Sequence, residues 1–191
     1  MAVEEEERNR RLEDSLEDLR SSDHERQDRA FHFFIEATRE PVDWAYKVWA
    51  ELMELLGDGD NRQRAIAAQV LCNLAKSDPK NRMRKDLVAL LEVTRDARFV
   101  TARHAMQSLW KVGVAGESQR KALVEGLTGR FKECVSEKNC TLIRYDILES
   151  LRRIYDTVRD EEVRTTALAL IALEQDQKYR KKYLTLWRDK A

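Results

Sequence analysis

Three cations of the sequence, Lys76, Lys111 and Arg153, are separated by 35 and 42 residues. Positive side chains held in a row can bind the carboxylates of an acidic peptide or the phosphates of a nucleic acid. Each cation also falls near the predicted end of a helix, where the helix dipole favours Lys and Arg without any ligand. The spacing therefore predicts a binding row and leaves helix-end stabilisation as the alternative.

The same intervals align further polar residues of the same predicted helices. Gln69, His104 and Asp146 form a second row, and Cys72, Gln107 and Glu149 form a third. One tryptophan and two arginines beside these rows extend the surface. The residues that we predict to bind a partner are Gln69, Asn73, Lys76, Arg103, His104, Gln107, Trp110, Lys111, Asp146, Arg152 and Arg153.

Catalytic chemistry has little support in the sequence. The histidines His24, His32 and His104 are spread along the chain, and His32 with Glu36 on one helix face supplies too few ligands for a metal. No nucleophile elbow, phosphate-binding glycine loop or zinc-protease motif occurs. We therefore predict a protein that is not an enzyme and that carries no cofactor.

Cysteines are few and irregularly spaced. Cys72, Cys134 and Cys140 are an odd number without the C-x-x-C spacing of a metal or redox site. Two of them lie in apolar helical settings. We therefore predict buried reduced thiols and neither a disulfide nor a zinc site.

The composition limits the class of partner and the compartment. Thirty-five basic residues balance 35 acidic ones, so no overall field attracts the chain to nucleic acid or to an anionic membrane. The N-terminus lacks the apolar segment of a signal peptide, and the longest apolar run, Ala167 to Leu173, is far shorter than the roughly 20 residues that cross a bilayer. These features predict a soluble cytoplasmic protein that binds a protein or peptide, acidic ones included, with nucleic acid the less favoured partner and no membrane. The sequence does not fix the oligomeric state.

Helices are the predicted elements throughout. Six glycines and two prolines are few for 191 residues, and apolar residues recur at intervals of three and four. Turn signals divide the chain into ten helices joined by short loops, which favours a series of antiparallel hairpins in one domain, residues 1–191. The predicted helices are residues 4–20, 23–40, 42–57, 60–77, 80–95, 97–113, 117–138, 140–158, 160–175 and 177–190.

A weak repeat accompanies these hairpins. The pattern of an Asp, an Arg four residues later, an Ala and paired aliphatic residues begins at Asp60 and recurs at Asp160. It resembles the second helix of a HEAT repeat, best over residues 60–113. The resemblance implies an all-α, right-handed superhelix of about five hairpins, with residues 1–40 as the N-terminal cap and 177–191 as the C-terminal cap, acting as a protein-binding scaffold. One feature departs from the family: the helix at 160 should come first in its hairpin, yet it carries the second-helix pattern.

The helix at 60–77 has an unusually narrow polar face. Between Ala65 and Ala75 every residue is apolar except Gln69 and Asn73, which lie four residues apart on one strip. An inner helix of a stacked array is buried on most of its circumference. We therefore predict that these two amides mark the only strip of this helix that faces solvent.

A second resemblance suggests a competing function. Alkylpurine DNA glycosylases are similar in size and build, and they line a basic concave face with tryptophans and a catalytic aspartate. Trp44, Trp110 and Trp187 are available here, and Asp43 or Asp146 could supply the carboxylate. The aromatic stripe of the last helix, Tyr179, Tyr183 and Trp187, could likewise stack on single-stranded nucleic acid, although such stripes more often pack on a neighbouring helix.

Overall fold

The computed structural model describes residues 2–188, the side chain of Ala2 excepted. Within this range the chain is all-helical, as predicted, and contains no strand. The helices are α1 (Ala2–Arg20), α2 (His24–Ala37), α3 (Ala45–Asp58), α4 (Asn61–Leu74), α5 (Arg82–Val93), α6 (Phe99–Ser108), α7 (Trp110–Ala115), α8 (Glu117–Glu133), α9 (Cys140–Val158), α10 (Glu161–Ala172) and α11 (Gln177–Leu186).

The ten predicted helices are all present, with three differences of detail. The helix predicted at 97–113 is divided into α6 and α7 at Leu109, and the ends of two others tighten into 3-10 turns, Ala75–Ser77 and Cys134–Ser136. The final helix ends at Leu186, and residues 189–191 of the predicted C-terminal cap lie outside the described residues.

Alternate helices form two layers. The first layer contains α1, α3, α5, α8 and α10, and the second layer contains α2, α4, α6 with α7, α9 and α11, each in contact with its neighbours in that order. Two hydrogen bonds show that the helices of the second layer run parallel. Thr101 Oγ1 at the start of α6 donates to Asn61 O at the start of α4 at 2.8 Å, and Lys111 of α7 donates to Asn73 near the end of α4. Consecutive helices therefore pack as antiparallel hairpins.

Burial explains the narrow polar face of α4. Ala67, Ala68, Val70 and Leu71 are completely buried because α4 contacts α2, α3 and α6 at once. The core extends continuously from Leu12 at one end of the chain to Trp187 at the other. The prediction that α4 is buried on most of its circumference is therefore correct.

The predicted solvent strip on α4 is only half right. Gln69 is partly exposed and donates to Ala65 O at 3.0 Å, but Asn73 is 5% exposed and donates to Thr38 Oγ1 of the residue that follows α2, at 3.0 Å. The prediction that Asn73 faces solvent is wrong because a neighbouring hairpin covers it and satisfies its amide. The stripe that does reach solvent contains Arg62, Gln69 and Lys76, spaced seven residues apart.

Asp160 and Asp60 share a role that explains part of the repeat pattern. Each caps its helix, Asp60 by accepting bonds from the backbone of Arg62 and Gln63 and Asp160 by accepting a bond from the backbone of Glu162. Helix α10 nevertheless belongs to the first layer, where it packs on α8 and α9. The pattern at residue 160 thus reflects a capped helix with one buried face and does not mark a second-layer helix.

Cys134 and Cys140 form a disulfide, with Cα atoms 5.1 Å apart, across the turn that joins α8 to α9. The prediction of reduced thiols is wrong for these two residues, because the 3-10 turn brings positions six residues apart together. It is correct for Cys72, a free and buried thiol whose pKa burial raises to about 12. The same turn is also held by Arg130, a buried guanidinium that bonds to Thr94 O and to the Glu137 carboxylate.

No helix in residues 2–188 has both the length and the apolar character that a membrane span requires.

Candidate partner-binding surface

The solvent-facing side of the second layer carries the predicted cation row. Lys76 follows α4, Lys111 belongs to α7 and Arg153 belongs to α9, three neighbouring members of this layer. Lys76 and Arg153 are exposed, and Lys111 is partly buried. The structure therefore brings together the three cations that the sequence spacing aligned.

The three charges act on one another. Burial lowers the pKa of Lys111 below its usual value, and repulsion from Lys76 and Arg153 lowers it further. Lys111 donates to the side-chain oxygen of Asn73, and Lys76 donates to the carbonyl oxygen of Arg39. In residues 2–188 no carboxylate pairs with either lysine, whereas Arg153 bonds to Glu149 at 3.1 Å. The row thus retains two cations that are not neutralised by an acid.

Helix dipoles account for only part of this arrangement. The dipole effect is confined to the first and last turns of a helix. Arg153 lies five residues before the end of α9, and Lys111 lies near the start of α7. Lys76 does satisfy a free carbonyl group just beyond α2, which agrees with the alternative interpretation for that residue alone.

Asp146 has a supporting position beneath the surface. Its carboxylate is completely buried and accepts bonds from Arg103 Nε at 2.7 Å, Arg103 Nη2 at 3.0 Å and Gln107 Nε2 at 3.3 Å. This bidentate bond raises the pKa of Arg103 and fixes its guanidinium between α6 and α9. Asp146 therefore orients Arg103 and Gln107 and does not itself reach solvent.

Trp110 and the two adjacent arginines differ in their surroundings. The guanidinium of Arg153 lies 5.8 Å from the centre of the Trp110 ring, and the indole nitrogen of Trp110 is buried without a hydrogen-bond acceptor. Arg152 instead bonds to Asp156 at 2.9 Å and lies 5.7 Å from the ring of Trp187. Trp110 and Arg153 thus belong to the surface, and Arg152 belongs to the packing of the last helix.

A groove of about 390 Å³ lies on the same side of the second layer and was missed by the sequence analysis. It crosses the N-terminal halves of α2, α4 and α6, and its lining includes the predicted residues Gln69 and His104 together with Phe31, Arg62, Ile66 and Val100. His104 is exposed, and Val100 is an exposed valine in a helix. Only an exposed valine one turn before His104 could have indicated the groove, and the sequence pattern alone does not reveal which helical valines remain uncovered.

Residues expected for a DNA glycosylase are not assembled into an open site. Trp44 and Trp187 are buried, and Asp146 is enclosed by Arg103 and Gln107. Asp43 precedes α3 of the first layer and bonds to Arg8. Hence the two candidate carboxylates lie in different layers, and neither is accompanied by the three tryptophans.

The aromatic stripe of α11 packs inward, as the packing interpretation predicts. Tyr183 is completely buried and donates to Thr141 O at 2.8 Å, and the Trp187 indole donates to Leu148 O at 3.2 Å. Its rings therefore anchor α11 to α9 and do not form a stacking platform.

Neither a metal-ligand cluster nor similarity to a known protein indicates a second functional site among the described residues. Among the described residues no three His, Cys, Asp or Glu side chains are grouped closely enough to hold a metal ion. No protein-family model matches the sequence, and no curated protein shows significant similarity to it.

Proposed function

We propose that this protein is a non-enzymatic binding scaffold that holds an acidic segment of a partner protein against the exposed side of its second layer. The observation that carries the proposal is the pair of lysines, Lys76 and Lys111, which lie beside Arg153 and which no acid of the described residues neutralises. Like charges held close together repel one another, and an anionic ligand relieves that repulsion. Carboxylates of an acidic peptide are ligands of this kind.

A HEAT-like superhelix of about five hairpins is the architecture that we propose for this scaffold. Parallel helices within the second layer and antiparallel packing of consecutive helices support it, since stacked hairpins have both properties. In such an array each helix is supported by its neighbours, so a surface built from several helices keeps a fixed shape. A rigid surface loses less entropy on binding.

A protein partner is favoured over a nucleic acid because the positive charge is local. The chain has equal numbers of acidic and basic residues, and the row comprises three cations. Nucleic-acid binding normally requires a larger basic surface and loses affinity steeply with salt. Three cations match a short run of acidic side chains.

The proposal is tested by fluorescence anisotropy with two labelled probes of equal net charge, an eight-residue peptide rich in Asp and Glu and a single-stranded oligonucleotide. The variant carries K76E, K111E and R153E. Its matched control carries R84E, K85E and K132E, three exposed cations of the first layer. Three charge-assisted contacts of about 0.5–1 kcal/mol each predict a loss of peptide affinity of at least tenfold for the row variant.

The control variant should bind the peptide within about twofold of the unmodified protein, since a surface substitution elsewhere removes no contact. Equal losses for the two variants would show that the peptide responds only to overall charge and would contradict the proposal. Tighter binding of the oligonucleotide than of the peptide would favour the nucleic-acid function instead. Circular dichroism of each variant checks that the helices are retained.

A further inference from the structure

We infer that the acidic segment also carries an apolar anchor residue, four or five positions from its acidic residues, which binds in the groove across α2, α4 and α6. The inference rests on the proposed function, because the acidic residues of the same segment would occupy the cation row. It adds a second contact and a defined spacing between the two.

The groove has the character of a site for an apolar side chain. Phe31 contributes carbon surface beside the nearly buried Ile66, and Val100 leaves 67% of its surface exposed. A volume of about 390 Å³ is within the range of pockets that bind small ligands or single large side chains. An exposed valine beside a concave apolar surface gains free energy when a ligand covers it.

The two carboxylates that line the groove, Asp28 and Asp60, already have partners. Arg62 forms an ion pair with Asp28, and Asp60 caps α4 while accepting a bond from Gln27 at 3.3 Å. These carboxylates are therefore occupied within the protein and offer little to a cationic ligand. The apolar surface that a ligand can cover is that of Phe31 and Val100, beside the exposed His104.

The groove and the cation row lie on one continuous surface. On α4, Arg62 lines the groove and Gln69 lies in the middle, and Lys76 of the 3-10 turn that continues α4 belongs to the row, each seven residues after the last. Seven residues are close to two turns, so the three side chains share one stripe. In the neighbouring pair of helices, His104 of α6 in the groove and Lys111 of α7 in the row are related by the same interval.

The spacing follows from helix geometry. Ile66 precedes Lys76 by ten residues, and Val100 precedes Lys111 by eleven. At 1.5 Å per residue both intervals correspond to about 15–16 Å along the helices. An extended peptide advances about 3.3 Å per residue, so four or five residues cover this distance. Two neighbouring helices thus give the same register for the ligand.

A series of fluorescein-labelled peptides tests the register. Each contains three consecutive acidic residues in a Gly/Ser chain of constant length, with one leucine placed one to nine positions away on either side, and a reference peptide has serine in place of leucine. We expect affinity to peak at a separation of four or five on one side, about tenfold above the serine peptide, which is typical for the burial of one apolar side chain. The peak should disappear in V100E, whereas affinity for the serine peptide should stay unchanged.

The chain offers a matched control for V100E. Val88 on α5 of the first layer is also 67% exposed, so V88E introduces the same charge at an equally exposed valine outside the groove. V88E should keep the peak. Binding that depends on Lys76 and Lys111 but shows no preference for leucine spacing would overturn the anchor and leave the proposed function in place. Failure of every peptide to bind would overturn the proposed function, and the anchor with it.

Discussion

Replacing Arg103 should destabilise the protein more than replacing Asp146, although the two residues form one ion pair. The Asp146 side chain is 0% exposed, whereas the Arg103 side chain retains 38% of its exposure. Loss of Arg103 therefore leaves a buried carboxylate with only the Gln107 amide as a partner. Loss of the Asp146 charge leaves a guanidinium that can turn toward water.

The expected magnitudes follow from these two situations. Removing one partner of a buried pair and leaving the other charge uncompensated costs about 3–5 kcal/mol, so we expect at least about 3 kcal/mol for R103M. D146N keeps the shape and one acceptor oxygen, and loss of a charged hydrogen bond costs about 1.5–3 kcal/mol. For a chain of this length each kcal/mol corresponds to about 2–4 °C in melting temperature.

Urea unfolding, monitored by circular dichroism, gives the free energy of unfolding of both variants. R84M, on the exposed side of α5, is a control that should change this free energy by less than about 0.5 kcal/mol. The difference between R103M and D146N should persist at high salt, because solvent ions screen a buried charge poorly. Equal losses, or a larger loss for D146N, would show that burial does not decide the asymmetry and would refute the reasoning.

Two further predictions concern other parts of the fold. Thiol titration of the unreduced, denatured protein should detect one thiol, Cys72, and titration after reduction should detect three. Because the Cys134–Cys140 bond closes a short loop, reduction should lower the free energy of unfolding by about 2 kcal/mol. Three thiols detected without reduction would contradict the disulfide. The bond from Arg120 at 2.7 Å lowers the pKa of Asp160 below its usual value. A lowered pKa stabilises the folded state above about pH 4, and this contribution is lost as the pH falls through the folded-state pKa. The variant D160N, which keeps the capping oxygen, should therefore be destabilised more at pH 7 than at pH 2. An equal deficit at both pH values in urea unfolding would rule out the charge as its origin.

The helices could be predicted from the sequence because their signals are local. Apolar periodicity and capping aspartates such as Asp60 and Asp160 depend on residues within a few positions of one another. The stripe of Leu12, Leu16 and Leu19 on the first helix is likewise buried, as a terminal helix that covers its neighbour requires. Local patterns therefore determined the element order and the all-α class.

Side-chain environments depended on contacts that the sequence does not display. Asn73 was predicted to face solvent because the sequence of its own helix does not indicate that Thr38, 35 residues earlier, packs over it. Asp146 aligned with exposed residues, yet Arg103 from another helix encloses it. The cation row was found from spacing because exposed side chains at repeated positions share a face, whereas the groove depends on which apolar surface the neighbouring helices leave uncovered.

Asn73 has a consequence for the lysine that it holds. Its amide donates to Thr38 next to α2, and its oxygen accepts from the ammonium of Lys111 on α7, so one side chain links three helices. A lysine ordinarily samples many rotamers and loses that freedom when it contacts a ligand. Lys111 has already lost much of this freedom on folding, so an anionic ligand that bound there would cost less side-chain entropy than one that bound a freely rotating lysine.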